Sequence, residues 1–324
     1  MTSLPTVHIV ATGGTIAHTA EGRIDDEALV EAIPELSEHA VVRTEEYARV
    51  VSTVFAPSDM LGLARRVNAL SMEDPGPFGI VITMGSNAIE EMAYFLDLTL
   101  KSAKPVVFTG SQRQLGSLGA EGGKNLLDAV RVAGSPEAAG KGVLVVVNEE
   151  IHAARDVTKT TSYRMNAWDS FDLGLLGLVD TDRISFFRES TRRHTSDTPF
   201  RLDSIDSIGE LPRVDIIYSY LGADGALIDA AVEHGARGLV LAGFPSGAPA
   251  RTGQHEALER AAGKGVVVVI SHRGGRGRIR KHYASLPKQV EASNLTPQKA
   301  RVLLLLALTI ASAPEEIQEL FDRH

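Results

Sequence analysis

The sequence predicts two α/β domains: a larger N-terminal one on a mostly parallel sheet with helices on both faces, and a smaller C-terminal one. Three observations predict it. Short β-branched runs alternate with amphipathic stretches of helical length through the first two-thirds of the chain. A polar, irregular segment from Phe186 to Pro212 interrupts the alternation, and a shorter strand–helix series follows it. The length, 324 residues, exceeds the roughly 250–300 at which a single core stops growing. The expected division is an N-terminal domain over residues 1–190, a linker over 191–212 and a C-terminal domain over 213–324.

Taken in order, Val7–Ala11, Gly79–Thr83, Pro105–Thr109 and Gly142–Val147 read as buried parallel strands. Ser58–Ser71, Ala88–Leu98 and Gly122–Val132 read as the helices between them. Pro57 marks the start of the first helix, with Ser58 and Asp59 as its capping residues. In the second series Val214–Ser219, Gly238–Ala242 and Val266–Ile270 are strands, and helices lie near Gly225–Glu233 and at Gln254–Ala262. Two helices end the chain. One has Thr296 as N-cap and Pro297 at its first position and runs through Leu308; the other begins near Ala313-Pro314-Glu315.

Composition excludes several classes of function. The formal charge of −8 argues against nucleic-acid binding. With no cysteine there is no disulfide or thiolate chemistry. The start of the chain lacks a basic region followed by an apolar run, and the apolar run Val302–Ala311 is too short to span a bilayer, so the expected compartment is the cytoplasm, without membrane partners. His255-Glu256 lacks a second histidine four residues on, and Gly274-Gly275-Arg276-Gly277 lacks the Lys-Ser/Thr of a phosphate loop. No metal or cofactor is expected.

In open α/β sheets ligands bind beyond the carboxyl ends of the strands. That rule selects Thr12–Thr15, Met84–Asn87 and Gly110–Arg113. Gly13 and Gly14 let main chain and the Thr15 hydroxyl approach a ligand, although the tetrapeptide alone fits any tight strand-to-helix turn equally well. Ser86 offers a second hydroxyl, Asn87 an amide, and Lys159, in a polar loop-like stretch, an amine. Two hydroxyls, a lysine whose pKa burial can lower, and glycine-turn N–H groups suffice for acyl transfer. A lone loop lysine is otherwise an ordinary solvated charge.

The ordered set resembles the bacterial-type asparaginases and glutaminases over nearly the whole chain. Thr12-Gly13-Gly14-Thr15-Ile16-Ala17 is similar to the family's first signature, and Met84-Gly85-Ser86-Asn87-Ala88-Ile89-Glu90-Glu91 to its second. Glu121-Gly122, Asn125-Leu126, Tyr220–Gly225 and Leu295–Arg301 fit as well. The resemblance implies a cofactor-free amidohydrolase whose N-terminal domain is catalytic. Thr15 would be the nucleophile that forms an acyl-enzyme, with Ser86 and Lys159 as the activating pair. Gly14, Ser52, Thr53, Gly85 and Asn87 would contact a small-molecule substrate, with water as the second reactant. It implies L-asparagine or a close analogue as substrate, release of ammonia, and a homodimer or homotetramer with shared sites.

Departures from the pattern bear on the substrate. By the resemblance, the family has an aspartate where this chain has Asn87 and, both contributed by the neighbouring subunit, an asparagine where it has Ala248 and a glutamate near Lys281, in the basic stretch Arg273–Lys281. All three normally face the substrate's α-ammonium, and a buried cation without a carboxylate partner is costly. The alternative expectation is therefore an amide, lactone or ester without a free α-amino group, with the basic stretch reading a second anionic group. The family's lid tyrosine is missing; His18 is the candidate replacement, and a simply solvated loop histidine is the other reading. A binding protein without turnover and a subunit of a larger amidotransferase are the other readings.

Overall fold

A computed structural model describes residues 3–73, 76–206, 209–280, 286 and 289–324. The chain divides into two compact units, Met1–Asp197 and Thr198–His324. The polar segment expected to cross between domains carries a short helix, α5 in the second unit below.

In the first unit the strands are β1 (Thr6–Gly13), a hairpin of β2 (His18–Thr19) and β3 (Gly22–Arg23), β4 (Val41–Val50), β5 (Gly79–Thr83), β6 (Val106–Thr109), β7 (Val143–Val147), β8 (Glu150–Ala153), a ribbon of β9 (Thr158–Lys159) and β10 (Trp168–Asp169), β11 (Gly177–Val179) and β12 (Ile184–Phe186). The helices are α1 (Asp26–Glu31), α2 (Pro57–Met72), α3 (Ile89–Thr99) and α4 (Gly122–Ala133). Eight strands form one sheet in the order β12-β11-β8-β7-β6-β5-β1-β4. Pairing is parallel from β4 to β7 and antiparallel from β7 to β12. The strand order turns back at β1, where β4 and β5 flank it on opposite sides.

Side chains alternate across the pleat, so each strand feeds two cores. On one face Val7, Ile9, Val81, Val107 and Leu144 pack with Leu126, Ala129 and Val130 of α4 and with Leu29 of α1. Helices α2 and α3 pack with the sheet strands and with each other. Strand β4 was not foreseen. Its ten residues include Arg43, Glu45, Glu46 and Arg49, and it forms the sheet edge, where charge is tolerated and blunts edge-to-edge pairing.

The start of α2 departs from expectation. Ala56, not Ser58, is the N-cap, and Pro57 is the first helical residue. Asp59 does act at this end: its carboxylate accepts the Ala56 N–H at 2.7 Å.

The second unit holds α5 (Leu202–Asp206) and a four-stranded parallel sheet, β13 (Val214–Tyr218), β14 (Gly238–Gly243), β15 (Val267–His272) and β16 (Val290–Glu291), in that spatial order. Helices α6 (Ala226–Glu233) and α7 (Gln254–Gly263) share a core with it through Ile228, Leu258, Leu239, Leu241 and Val268. Helix α8 (Pro297–Ala307) packs on β13, β14 and β15, and α9 (Pro314–Arg323) on β16. Thr296 is the N-cap of α8 by backbone geometry, but its hydroxyl is buried without a hydrogen-bond partner, so the expected side-chain cap is not made. Arg273, at the start of the basic stretch, has its guanidinium 4.8 Å from the Phe244 ring centroid and 5.7 Å from that of Tyr218. Ala248 accepts the Phe244 N–H at 3.0 Å and closes the turn after β14. Lys281 lies outside the described residues.

Candidate active site

A cavity of about 320 Å³ opens beyond the carboxyl ends of β1 and β5, lined by Gly14, Thr15, His18, Arg23, Val51, Ser52, Thr53, Gly85, Ser86 and Asn87. Its position is that predicted for open parallel sheets, beside the point where the strand order reverses. Gly14, Thr15, Ser52, Thr53, Gly85, Ser86 and Asn87, singled out from sequence, all line it. Lys159 reaches Ser86 and Asn87 from the β9–β10 ribbon, where Thr158–Lys159 pairs with Trp168–Asp169. A short ribbon therefore replaces the expected loop.

Two glycines bring the walls together. Gly14 has φ +89°, and a Cβ there would sit 2.6 Å from Gly85 Cα and closer still to the Gly85 nitrogen. A Cβ on Gly85 would lie 2.6 Å from Ser52 Oγ. Only glycine at both positions lets the β1 turn, the β5 turn and the Ser52 turn abut. Thr15 and Ser86, each next after one of these glycines, are thereby presented to one space. Thr12 locks the strand ends, donating from Oγ1 to the Thr83 carbonyl at 2.8 Å. The Gly14 N–H donates to Val50 O at 3.2 Å, so this amide of the glycine turn is committed within the fold and does not serve as the expected donor to a ligand.

Lys159 Nζ donates to Ser86 Oγ at 2.7 Å and to Asn87 Oδ1 at 3.3 Å. Burial pushes the Lys159 ammonium below its ordinary value, because desolvation disfavours the charged form. Next to it, the Thr158 hydroxyl donates to the Glu90 carboxylate on α3, which ties the lysine's strand to the helix that follows Ser86 and Asn87. Ser86 Oγ also lies 3.4 Å from Gln112 Oε1, and Gln112 Nε2 donates to Arg164 O at 3.1 Å. The Glu121 carboxylate accepts the backbone N–H groups of Gln112 and Arg113. Gln112 thus braces the second hydroxyl. It followed a strand end in the sequence but had no assigned contact.

Arg23 and Val51 line the cavity without having stood out in the sequence, and Arg23 is the one that brings a charge. It sits on β3, and its Nη1 donates to the Arg49 carbonyl at 2.8 Å, at the end of the strand that leads into Ser52. The Gly22-Arg23 pair offered no motif; the hairpin pairing His18↔Arg23 and the bond to the Arg49 carbonyl bring it to the cavity. His18 lines the cavity, with Gln114 Nε2 at 3.1 Å from its Nδ1. None of the cavity-lining residues is acidic. Among the described residues no group of three or more His, Cys, Asp or Glu is arranged to hold a metal.

Two hydroxyls, a half-buried lysine and a glycine-walled cavity at the strand ends are parts that acyl transfer on an α/β scaffold would need. Residues 6–192 match the family model described as asparaginase, N-terminal, and residues 213–321 that of the glutaminase/asparaginase C-terminal domain. The chain is 44% identical to L-asparaginase 2 of Bacillus subtilis, over 99% of this chain and 87% of that one. It is 37% identical to a probable periplasmic L-asparaginase of Haemophilus influenzae, over 98% and 93% of the two chains. It is 36% identical to the glutaminase-asparaginase of Pseudomonas fluorescens, over 99% and 91%. The chain belongs to the asparaginase family and is an amidohydrolase acting on carbon–nitrogen bonds. One relative is named periplasmic, so membership does not by itself carry the expected cytoplasmic compartment. No helix among the described residues is long and apolar enough to cross a membrane.

Proposed function

We propose that this enzyme hydrolyses a small linear amide of asparagine's size through an acyl-enzyme on Thr15. The observation that carries the reading is the 2.7 Å contact between Lys159 Nζ and Ser86 Oγ at a cavity lined by Thr15. Neutral Lys159 takes the proton of Ser86, Ser86 takes that of Thr15, and Thr15 Oγ1 attacks the amide carbon. The carbon–nitrogen bond breaks, the relay returns the proton to the leaving nitrogen, and ammonia departs. Water then attacks the ester along the same relay and frees Thr15. The lowered lysine pKa supports this direction of proton flow, because only the neutral amine acts as a base.

A specific observation favours a substrate without a free α-amino group. Asn87 stands where the family pattern the sequence resembles implies an aspartate, its amide oxygen is occupied by Lys159 at 3.3 Å, and no carboxylate among the described residues lines the cavity. An ammonium would enter beside Arg23 and Lys159 with no anion to offset it. Two or four copies assembling around shared sites are part of the same reading, and sedimentation tests that assembly.

Rapid quenching during turnover followed by peptide mass spectrometry tests the nucleophile. The acyl mass is expected on the peptide that holds Thr15. An adduct on Ser86 instead would overturn the assignment.

A further inference from the structure

We infer that Arg23 is a specificity-determining residue that grips a carboxylate of the substrate, making the enzyme selective for anionic monoamides of short dicarboxylic acids. The inference deepens the proposed absence of an α-amino group and rests on that reading.

Arg23 lines the cavity, and among the described residues no carboxylate pairs with it. Its neighbour Arg49 is paired instead, with Glu46 at 2.5 Å. One guanidinium N–H of Arg23 is used, by the Arg49 carbonyl, which fixes the head group and leaves donors for a ligand. Arg49 lies two residues before Val51, and Val51, Ser52 and Thr53 form the adjoining wall. The Arg49 carbonyl thus joins Arg23 to the strand end that leads into the Ser52 turn, and both residues line the cavity.

The charges fit one class of ligand. A zwitterionic amino-acid amide carries no net charge and brings an ammonium into a cavity whose formally charged lining group is a guanidinium. An amide of the same length with hydrogen in place of the amine carries a net negative charge, which Arg23 balances. Guanidinium and carboxylate form charge-assisted, often bidentate hydrogen bonds, the strongest kind open to an uncharged-hydroxyl wall that gains one cation. The guanidinium is the source of electrostatic affinity in a cavity whose described lining holds no acid.

The test uses the whole enzyme, succinamate (asparagine without its amine), and the neutral methyl ester of succinamate, with ammonia release as the readout. Succinate binding by calorimetry supplies a second readout that needs no turnover. For the wild type, kcat/KM for succinamate is expected to exceed that for the ester, and in Arg23→Gln that ratio should fall about tenfold or more, mostly through KM. Succinate affinity should fall in parallel, and Arg23→Lys should recover part of both. An unchanged ratio and unchanged succinate affinity in a folded Arg23→Gln protein would overturn the inference. Failure of the underlying reading looks different: the wild type would then prefer asparagine over succinamate, whatever Arg23 does to the ratio.

Discussion

Lys159 Nζ lies 2.7 Å from Ser86 Oγ and 3.3 Å from Asn87 Oδ1, so one partly buried amine touches a hydroxyl and a neutral amide together. Neither partner carries a negative charge. Burial therefore acts on the lysine without an anion to oppose it, and the amine is poised to be neutral at lower pH than a free lysine.

Lys159→Met removes the base and keeps the stem. Turnover should fall by about 10²–10⁴-fold, the range for a general base, while a folded protein with near-normal thermal stability persists. Ammonia-release kinetics alongside thermal melting check this. Full activity would exclude the lysine from the relay.

The pH profile follows from the direction of the shift. Activity requires neutral lysine, so kcat/KM should rise with pH and level off below the ordinary lysine value of 10.5. Asn87→Asp places an anion beside Nζ, which favours the ammonium and moves the rising limb to higher pH by about one unit or more. The same carboxylate offers a partner to an α-ammonium, so asparagine turnover relative to succinamate should rise in this variant. Parallel pH profiles for wild type and variant would contradict the account.

Thr158→Val cuts the hydroxyl contact with Glu90 that holds the β9 strand against α3. The lysine would lose its positioning but not its chemistry. The expected result is a fall in kcat of about tenfold with little change in KM, since small misplacements of a catalytic group are costly. A rise in KM at constant kcat would assign Glu90 and Thr158 to substrate binding instead.

Gly85→Ala drives a methyl group to within 2.6 Å of Ser52 Oγ. Either the Ser52 turn or the β5 turn must move. Stability should drop by about 1–3 kcal/mol, and substrate affinity with it; differential scanning calorimetry and KM report the two. A neutral substitution would show that the two turns are not held against each other.

The parallel half of the first sheet was legible because β1, β5, β6 and β7 are buried on both faces and read as continuous apolar runs. Strand β4 was not, because it is an edge whose charges have local partners. Glu45, for example, accepts from Arg66 of α2 at 2.8 Å, so the segment looks soluble and irregular while being regularly paired. The antiparallel end, β8, β11 and β12, is made of strands of three or four residues, too short for a period to register. The site residues flanking glycine turns stood out, since glycine there answers a steric demand visible in the sequence. Arg23 did not, because a hairpin of two-residue strands and a bond to a main-chain carbonyl 26 residues away bring it to the cavity.

The proposed function joins an acyl-transfer relay at Thr15, Ser86 and Lys159 to a pocket without an ammonium subsite. The most direct measurement is kcat/KM for ammonia release from L-asparagine and from succinamate under identical conditions. The account predicts succinamate to be preferred by about tenfold or more. A preference for asparagine of similar size would contradict it.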